Sequence, residues 1–595
     1  MIKNKVLLLL AAVSGLSAIT YTVDLSTDTP SAMGGEGMSS GATSGELRWV
    51  LNQINQFPAA SDDIVFSFIG DTTITLSAPL PFLNKGGVSS LTTLNGSITG
   101  GDLTISGANT HPGLFVNQGT VMIQNITINS CMSRGGNGGT GNSGGGGGPG
   151  IGGSLFIWDA DVTLENVNIA NSQVVGGLPG TSTFVSTDGS GGGGGLWGAR
   201  GGDGGFTSGG GGGGLGIGGD GGDATGTGGG GGGGFSIGGA FTGFGGDSGM
   251  IGSVGASFDD TGSLGGGSGG FGGAIGGPVG GGGGGGAFVG SMFGGGGGGG
   301  NSGGTSFGFA GGTGSFTGGG GGGGGSLGAV FGAGAGGNSP FLGGGGGGGP
   351  FGQGGSVAQI PGIFGTRLGG KGGDIFGTIA NAFVGGGGIL IASGNSNARL
   401  RFKDTGSISS PSYVVGMSIL SDGLFFAPAL EFTPASGETI SLLDPYFSGP
   451  RVLVNGDGTL LLDPQNLEVE DRLAFGSFGL QVTDNATLHY KGAPQENLSG
   501  EIVGPLIAAF EIVGFVPTRV AIDSGARLLG NGSVRVRGFV DDGYLTVGGT
   551  LEVEPGFMHI QGDRFFVPGG DIEFLPGGKV ISQVRGDTVG TLFFQ

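Results

Sequence analysis

Short runs in which apolar and polar residues alternate recur along much of the chain, each closed by Gly, Asn, Asp or Pro. Ile64–Ile69, Thr73–Leu76, Leu103–Ile105 and Val121–Ile128 are of this kind. A period of two places alternate side chains on opposite faces of a pleated backbone, so these runs predict half-buried strands joined by turns. One segment departs from the pattern. In Ser44–Gln56, Leu47, Val50, Leu51 and Ile54 fall at helical spacing, which predicts a helix with Ser44 as its N-cap.

The strand pattern repeats. Val121, Ile123, Asn125, Ile126 and Ile128 recur as Val162, Leu164, Asn166, Val167 and Ile169, and Leu480, Val482, Ala486 and Leu488 recur as Val520, Ile522, Ala526 and Leu528. An offset of about forty residues is too long for a tight hairpin. It suits two coils of a parallel β-solenoid or one coil carrying an insertion, with equivalent apolar residues stacked in interior columns. Asn125 and Asn166 stand where each coil must turn. Asn tolerates left-handed backbone, so both are expected to be structural corner residues with stacked side chains. Two later segments, Val452–Leu462 and Leu545–Val553, place strands on either side of a glycine-containing turn; the pattern allows a hairpin or a solenoid corner.

Composition divides what the periodicity leaves uniform. Of 595 residues 163 are glycine, against an average usage near 7%. The glycine is concentrated in runs, which separates residues 19–133, a β-helix start with one capping helix, from a glycine-rich zone of coils and loops at 134–394 and C-terminal solenoid repeats at 395–595. Runs of glycine exclude collagen, which needs glycine at every third position. Polyglycine can form extended helices of three residues per turn, close in form to polyproline II, that pack tightly because they lack side chains. The middle zone is therefore read either as loops of that kind stacked along one side of the solenoid or as disordered loops.

Forty-two acidic against 21 basic residues give a net charge of −21, and no lysine lies between Lys85 and Lys371, which argues against a nucleic-acid partner. The single cysteine, Cys131, excludes a disulfide scaffold. At the start, Lys3 and Lys5 precede an apolar stretch, Val6–Val13, and a small-residue end at Ser14–Ala18. This is the layout of a secretory signal peptide over residues 1–18, and the apolar run is far short of the ~20 residues a spanning helix needs. Export to the cell surface, outer membrane or medium is the expectation.

Several segments resemble bacterial autotransporter passenger domains. Glu46-Leu-Arg-Trp49, Leu80-Pro81, Leu103–Gly107 and Gly152–Phe156 resemble the start of such domains, while Gly456–Asn466 and Val547–Gly556 are similar to autotransporter-associated β-strand repeats. Gly272-Gly-Ala-Ile275 resembles the short tetrapeptide of chlamydial polymorphic outer membrane proteins, without a Phe-x-x-Asn companion. The resemblance implies an all-β fold, a right-handed parallel β-helix of the pectin-lyase-like kind carrying a long glycine-rich insertion region. It also implies a Gram-negative source and a non-enzymatic adhesin or envelope structural protein, with a host-cell surface, matrix or other envelope component as partner. Family members end in a membrane β-barrel; here the last 200 or so residues read as solenoid. The expectation is a barrel or exporter that is missing or supplied elsewhere.

Candidate chemistry is sparse. No glycine fingerprint is framed by a strand and a helix, and Gly372 stands where a P-loop needs Ser or Thr, so no nucleotide site is expected. Gly369–Gly377 fits a calcium-binding nonapeptide and Gly218–Asp223 its first six positions, making Asp374 and Asp223 the candidate ligands. The two are isolated, and no resident metal or cofactor is expected. Arg585-Gly586-Asp587 is a possible adhesion tripeptide or an ordinary charged turn. Asp62-Asp63, Asp259-Asp260 and Asp541-Asp542 are scattered, as are His111, His489 and His559. No catalytic residue is therefore nominated, and a secreted polysaccharide-degrading β-helix enzyme, lyase or hydrolase, is the alternative.

Overall fold

The computed structural model describes residues 19–29, 34–35, 42–56, 61–84 and 91–182 apart from 142, 149 and 151; short pieces between 191 and 239; and, from 389 to 594, the strands with some of their turns. Strands dominate these residues, and the largest sheet joins 29 of them.

Its pairings are almost all parallel and fall into three ladders that the chain visits in the same order. The first ladder contains Ile19–Val23, Ser61–Phe66 and Leu91–Asn95, then continues through residues 120–124, 161–165 and 399–404 to Ala429–Pro434 and, at its far end, Gly570–Phe574. The second contains Thr72–Thr75, Leu103–Ser106 and Ile126–Asn129, then residues 168–170 and 406–408, and ends at Lys579–Ser582. The third contains Leu83–Asn84, residues 114–118 and 155–157, and Ile389–Ile391; beyond them it runs from Tyr413–Val415 to Thr588–Phe594. This recurrence is compatible with an all-β parallel solenoid.

The alternation read in the sequence explains the core. Ile74, Ile105, Ile128, Ile169, Ile408, Leu442, Leu462 and Tyr490 follow one another in register along the second ladder, and all are buried. Each such aliphatic side chain contributes on the order of 1.5–3 kcal/mol relative to exposure. Rings stack in the same way: the centroids of Phe115 and Phe156 are 4.7 Å apart, and those of Phe402 and Phe432 are 4.9 Å apart. The sequence repeats are neighbouring rungs, since Val121 pairs with Val162 and Leu480 with Val520. Arg451–Val454 and Thr459–Asp463 pair with other coils, so the turn between them is a solenoid corner.

The helix spans Leu47–Gln56 and buries Leu47, Val50, Leu51 and Ile54 against the first coil. Its cap differs from the expectation. Val50 N–H donates to the Glu46 carbonyl at 3.1 Å, placing Glu46 at the N-cap and Ser44 outside the helix. Gly45 intervenes with φ +98°, a left-handed conformation that its missing Cβ permits. The Glu46 carboxylate accepts from Thr27 Oγ1 at 2.6 Å, Thr29 Oγ1 at 2.7 Å and Thr43 N–H at 2.9 Å. Burial alone pushes this carboxyl up; those hydrogen bonds outweigh it and hold it below its ordinary value. Arg48, fully buried, donates to Asp28 Oδ1 at 2.6 Å and Oδ2 at 2.8 Å, and to the carbonyls of Pro79 and Ala78 at 2.6 and 2.7 Å. The helix is thus clasped to the loops beside it as well as packed on the core.

Candidate functional site

Two successive coils send glycine-rich segments out between the second and third ladders. The first leaves after Asn129 and returns at Leu155; the second leaves after Ala170 and returns at Ile389. Beside them Met132–Arg134 and Gln173–Val175 pair in parallel, so both excursions start side by side.

Their described glycines bond to one another through backbone. Gly135 N–H donates to Val175 O at 2.7 Å, Gly138 to Leu178 O at 2.8 Å and Gly141 to Thr181 O at 3.2 Å. That step of three residues matches the period of the extended polyproline-type helix. Other partners lie in other directions. Gly145 and Gly148 donate to Gly139 O and Gly136 O at 2.9 and 2.8 Å, with the two segments antiparallel; Gly191 and Gly194 donate to Ser143 O and Gly146 O at 2.9 and 2.8 Å, with those segments parallel. Gly192 donates to Gly202 O and Gly201 to Asn137 O, at 2.9 and 2.8 Å. The described segments therefore form a bundle held by main-chain hydrogen bonds.

Glycine is required here by close approach. A Cβ on Gly139 would lie 1.9 Å from Gly202 O, one on Gly177 1.9 Å from Gly136 O, and one on Gly145 2.0 Å from Gly192 O. Polar residues between the runs staple the segments. Asp203 Oδ1 accepts from Thr140 N–H at 2.7 Å and Thr140 Oγ1 at 2.6 Å, and pairs with Arg200. Burial alone raises this carboxyl; the hydrogen bonds from Thr140 and Arg200 outweigh it and hold it below its usual range. Asn137 Oδ1 accepts Leu178 N–H at 2.9 Å. The Thr140–Asp203 and Asn137–Leu178 staples were not legible in the sequence, because their partners are separated by tens of residues of glycine-rich chain.

At the corner between the first and second ladders, Asn125 and Asn166 both have φ 54°. Asn166 donates its side-chain amide to Asn125 Oδ1 at 3.2 Å; Asn125 donates to Asn95 Oδ1 at 3.3 Å and to Ser97 Oγ at 2.9 Å. The remaining residues nominated from sequence are dispersed. Asp223 Oδ1 accepts Asp203 N–H at 2.7 Å, and Asp374 lies outside the described residues. Arg585 pairs with Thr588 in a short antiparallel pair, while Gly586 and Asp587 between them lie outside the described residues. Asp62 is buried in the first ladder beside outward-facing Asp63; the other two acidic doublets lie outside the described residues. His111 is beside the helix clasp, where burial foremost and the Arg48 charge next lower its pKa. His489 lies many coils away in the second ladder, and His559 on Thr550–Arg564. Among the described residues no three His, Cys, Asp or Glu side chains cluster as metal ligands would.

Compared with known family models, curated proteins and solved structures, the chain shows no match. The arrangement that distinguishes this molecule is the backbone-bonded glycine bundle projecting from one corner of a long parallel stack. Most of its described glycines are buried against one another, and Asn137, Leu178 and Thr181 stand exposed between them.

Proposed function

We propose that this protein is an exported β-helix of the autotransporter passenger type, acting as a non-enzymatic adhesin or envelope structural protein. In this reading the parallel stack is a right-handed β-helix of pectin-lyase-like form and serves as a stalk, and the glycine-rich corner is the displayed element. The observation that supports it most directly is that two adjacent coils project their glycine segments from the same corner, where the segments bond to each other. A stalk with a lateral projection binds through extended surface. The partner class is a host-cell or matrix surface or another envelope component, with membrane attachment or export provided by a barrel outside the solenoid.

Protease shaving of intact source cells tests the location, and attachment of cells lacking the protein tests the role. Release of a large resistant fragment together with reduced attachment is the expected outcome. Normal attachment to host cells and abiotic surfaces overturns the adhesin reading. Protein found solely in the medium overturns surface display.

A further inference from the structure

The coil that leaves for the long glycine-rich excursion and the coil that returns from it face each other directly. On the first ladder Asp161 pairs with Arg399, Thr163 with Arg401 and Glu165 with Lys403. Arg401 donates to Asp161 Oδ1 at 2.7 Å and Oδ2 at 3.2 Å, across 240 positions of sequence, and on its other side to Glu431 Oε2 at 3.2 Å. Lys403 Nζ lies 3.7 Å from Glu165 Oε2. Outward-facing acids thus end one half of the stack and outward-facing bases begin the next, at the rung pair where chain connectivity is longest.

The inward positions do not mark this junction. Val121 and Ile123, Val162 and Leu164, Leu400 and Phe402, and Leu430 and Phe432 are successive pairs in the same two buried columns. A returning strand that skipped one coil would still bury its apolar face, because the alternation is the same on every rung. It would then meet Thr120, Met122 and Gln124, which offer Arg399, Arg401 and Lys403 no opposite charge. The distance along the chain makes such skipping easy, since a long connection constrains its ends weakly.

We infer that Asp161, Glu165, Arg401, Lys403 and Glu431 form a register lock that seats the two halves of the stack on each other, independently of the segment between them. The glycine-rich excursion is then an exchangeable insert in a stalk that closes without it. Opposite charges specify the partner rung, and the skipped rung, which offers none, is disfavoured by that loss.

The test uses the full chain with a specific protease site placed at Asp259-Asp260. After cleavage the two halves are expected to co-elute in size-exclusion chromatography at low salt, and to separate more readily as salt screens the pairs. Arg401→Glu is expected to weaken association about tenfold, and Arg401→Gln to weaken it less. Adding Asp161→Arg and Glu431→Arg to Arg401→Glu, together with Arg399→Glu so that the new base at position 161 faces no like charge, restores co-elution. Circular dichroism before cleavage confirms that each variant is folded. Separation of the unaltered halves shows that the insert holds them and overturns the lock. An unchanged Arg401→Glu variant, or a folded charge-reversed variant that fails to regain association, overturns it equally.

Discussion

Asn166 donates its side-chain amide to Asn125 Oδ1 at 3.2 Å across one rung, and both residues hold the left-handed φ of 54°. Each asparagine does two things: it turns the corner between the first and second ladders, and it ties that corner to the adjoining coil. Replacing Asn125 by Ala puts a Cβ-bearing residue with no amide at positive φ, at a cost of about 1–2 kcal/mol. Asn125→Gly relieves the backbone and loses only the hydrogen bonds, so it is expected to be the milder change. Urea midpoints of the two variants check the order; equal loss would mean that backbone conformation is not a factor.

The glycine bundle makes a different demand. Gly139 and Gly177 each face a carbonyl oxygen that an added Cβ would meet at 1.9 Å. Alanine at either position forces neighbouring segments apart, costing about 1–3 kcal/mol by analogy with overpacking. Because the bundle lies outside the ladders, Gly139→Ala is expected to abolish amide-exchange protection at Gly138, Gly145 and Gly192. Protection at Ile128 and Ile169 should stay unchanged. Loss of both together would show that bundle and stack fold as one unit.

Much of the stack was readable because its rule is local. Val121 and Val162 match in sequence and also pair in register, and their offset is one coil lengthened by the first glycine excursion, since Leu94 pairs with Ile64 and with Ile123 at offsets of 30 and 29. The helix was readable from four apolar positions, while its cap was not: Glu46 is at the N-cap because Gly45 turns the chain just before it, a constraint that residue type alone did not reveal. The glycine runs suggested three-residue helices without saying which run meets which. That choice depends on hydrogen bonds such as Gly192 to Gly202 and on staples such as Asp203 to Thr140. Arg401 and Asp161 lie too far apart in the chain for any periodicity to join them.

Cys131 offers a probe of the corner from which the glycine segments leave. It is buried one rung from Ser172, whose hydroxyl accepts the Cys131 N–H at 3.2 Å. Burial pushes its thiol up to about 12, so the reactive thiolate is essentially absent near neutrality. The native protein is expected to resist iodoacetamide and aromatic disulfide reagents at pH 8 and to react fully once unfolded. Rapid labelling of native protein would mean that this corner opens readily.

The clasp of Arg48 on Asp28 sets the response to acid. Burial pushes Asp28 up, but the Arg48 hydrogen bonds and charge, with bonds from Ser77, hold its carboxyl below the unfolded value of 3.8; Glu46 is likewise held below 4.5. An unfolded chain therefore binds more protons than the folded one as pH falls through this range. The stabilisation these groups contribute is complete above about pH 5 and is lost as pH drops below 4 toward their folded values. His111 adds a separate decline beginning near 6.5, because its folded form stays neutral where the unfolded form charges. Arg48→Met removes the partner of a buried carboxylate and is expected to cost about 3–5 kcal/mol at neutral pH. It should also flatten the acid slope, since Asp28 then loses the interactions that lower its pKa. Urea melts of the two proteins from pH 3 to 8 check both effects, and parallel curves would show that Asp28 draws its low pKa from Ser77 instead.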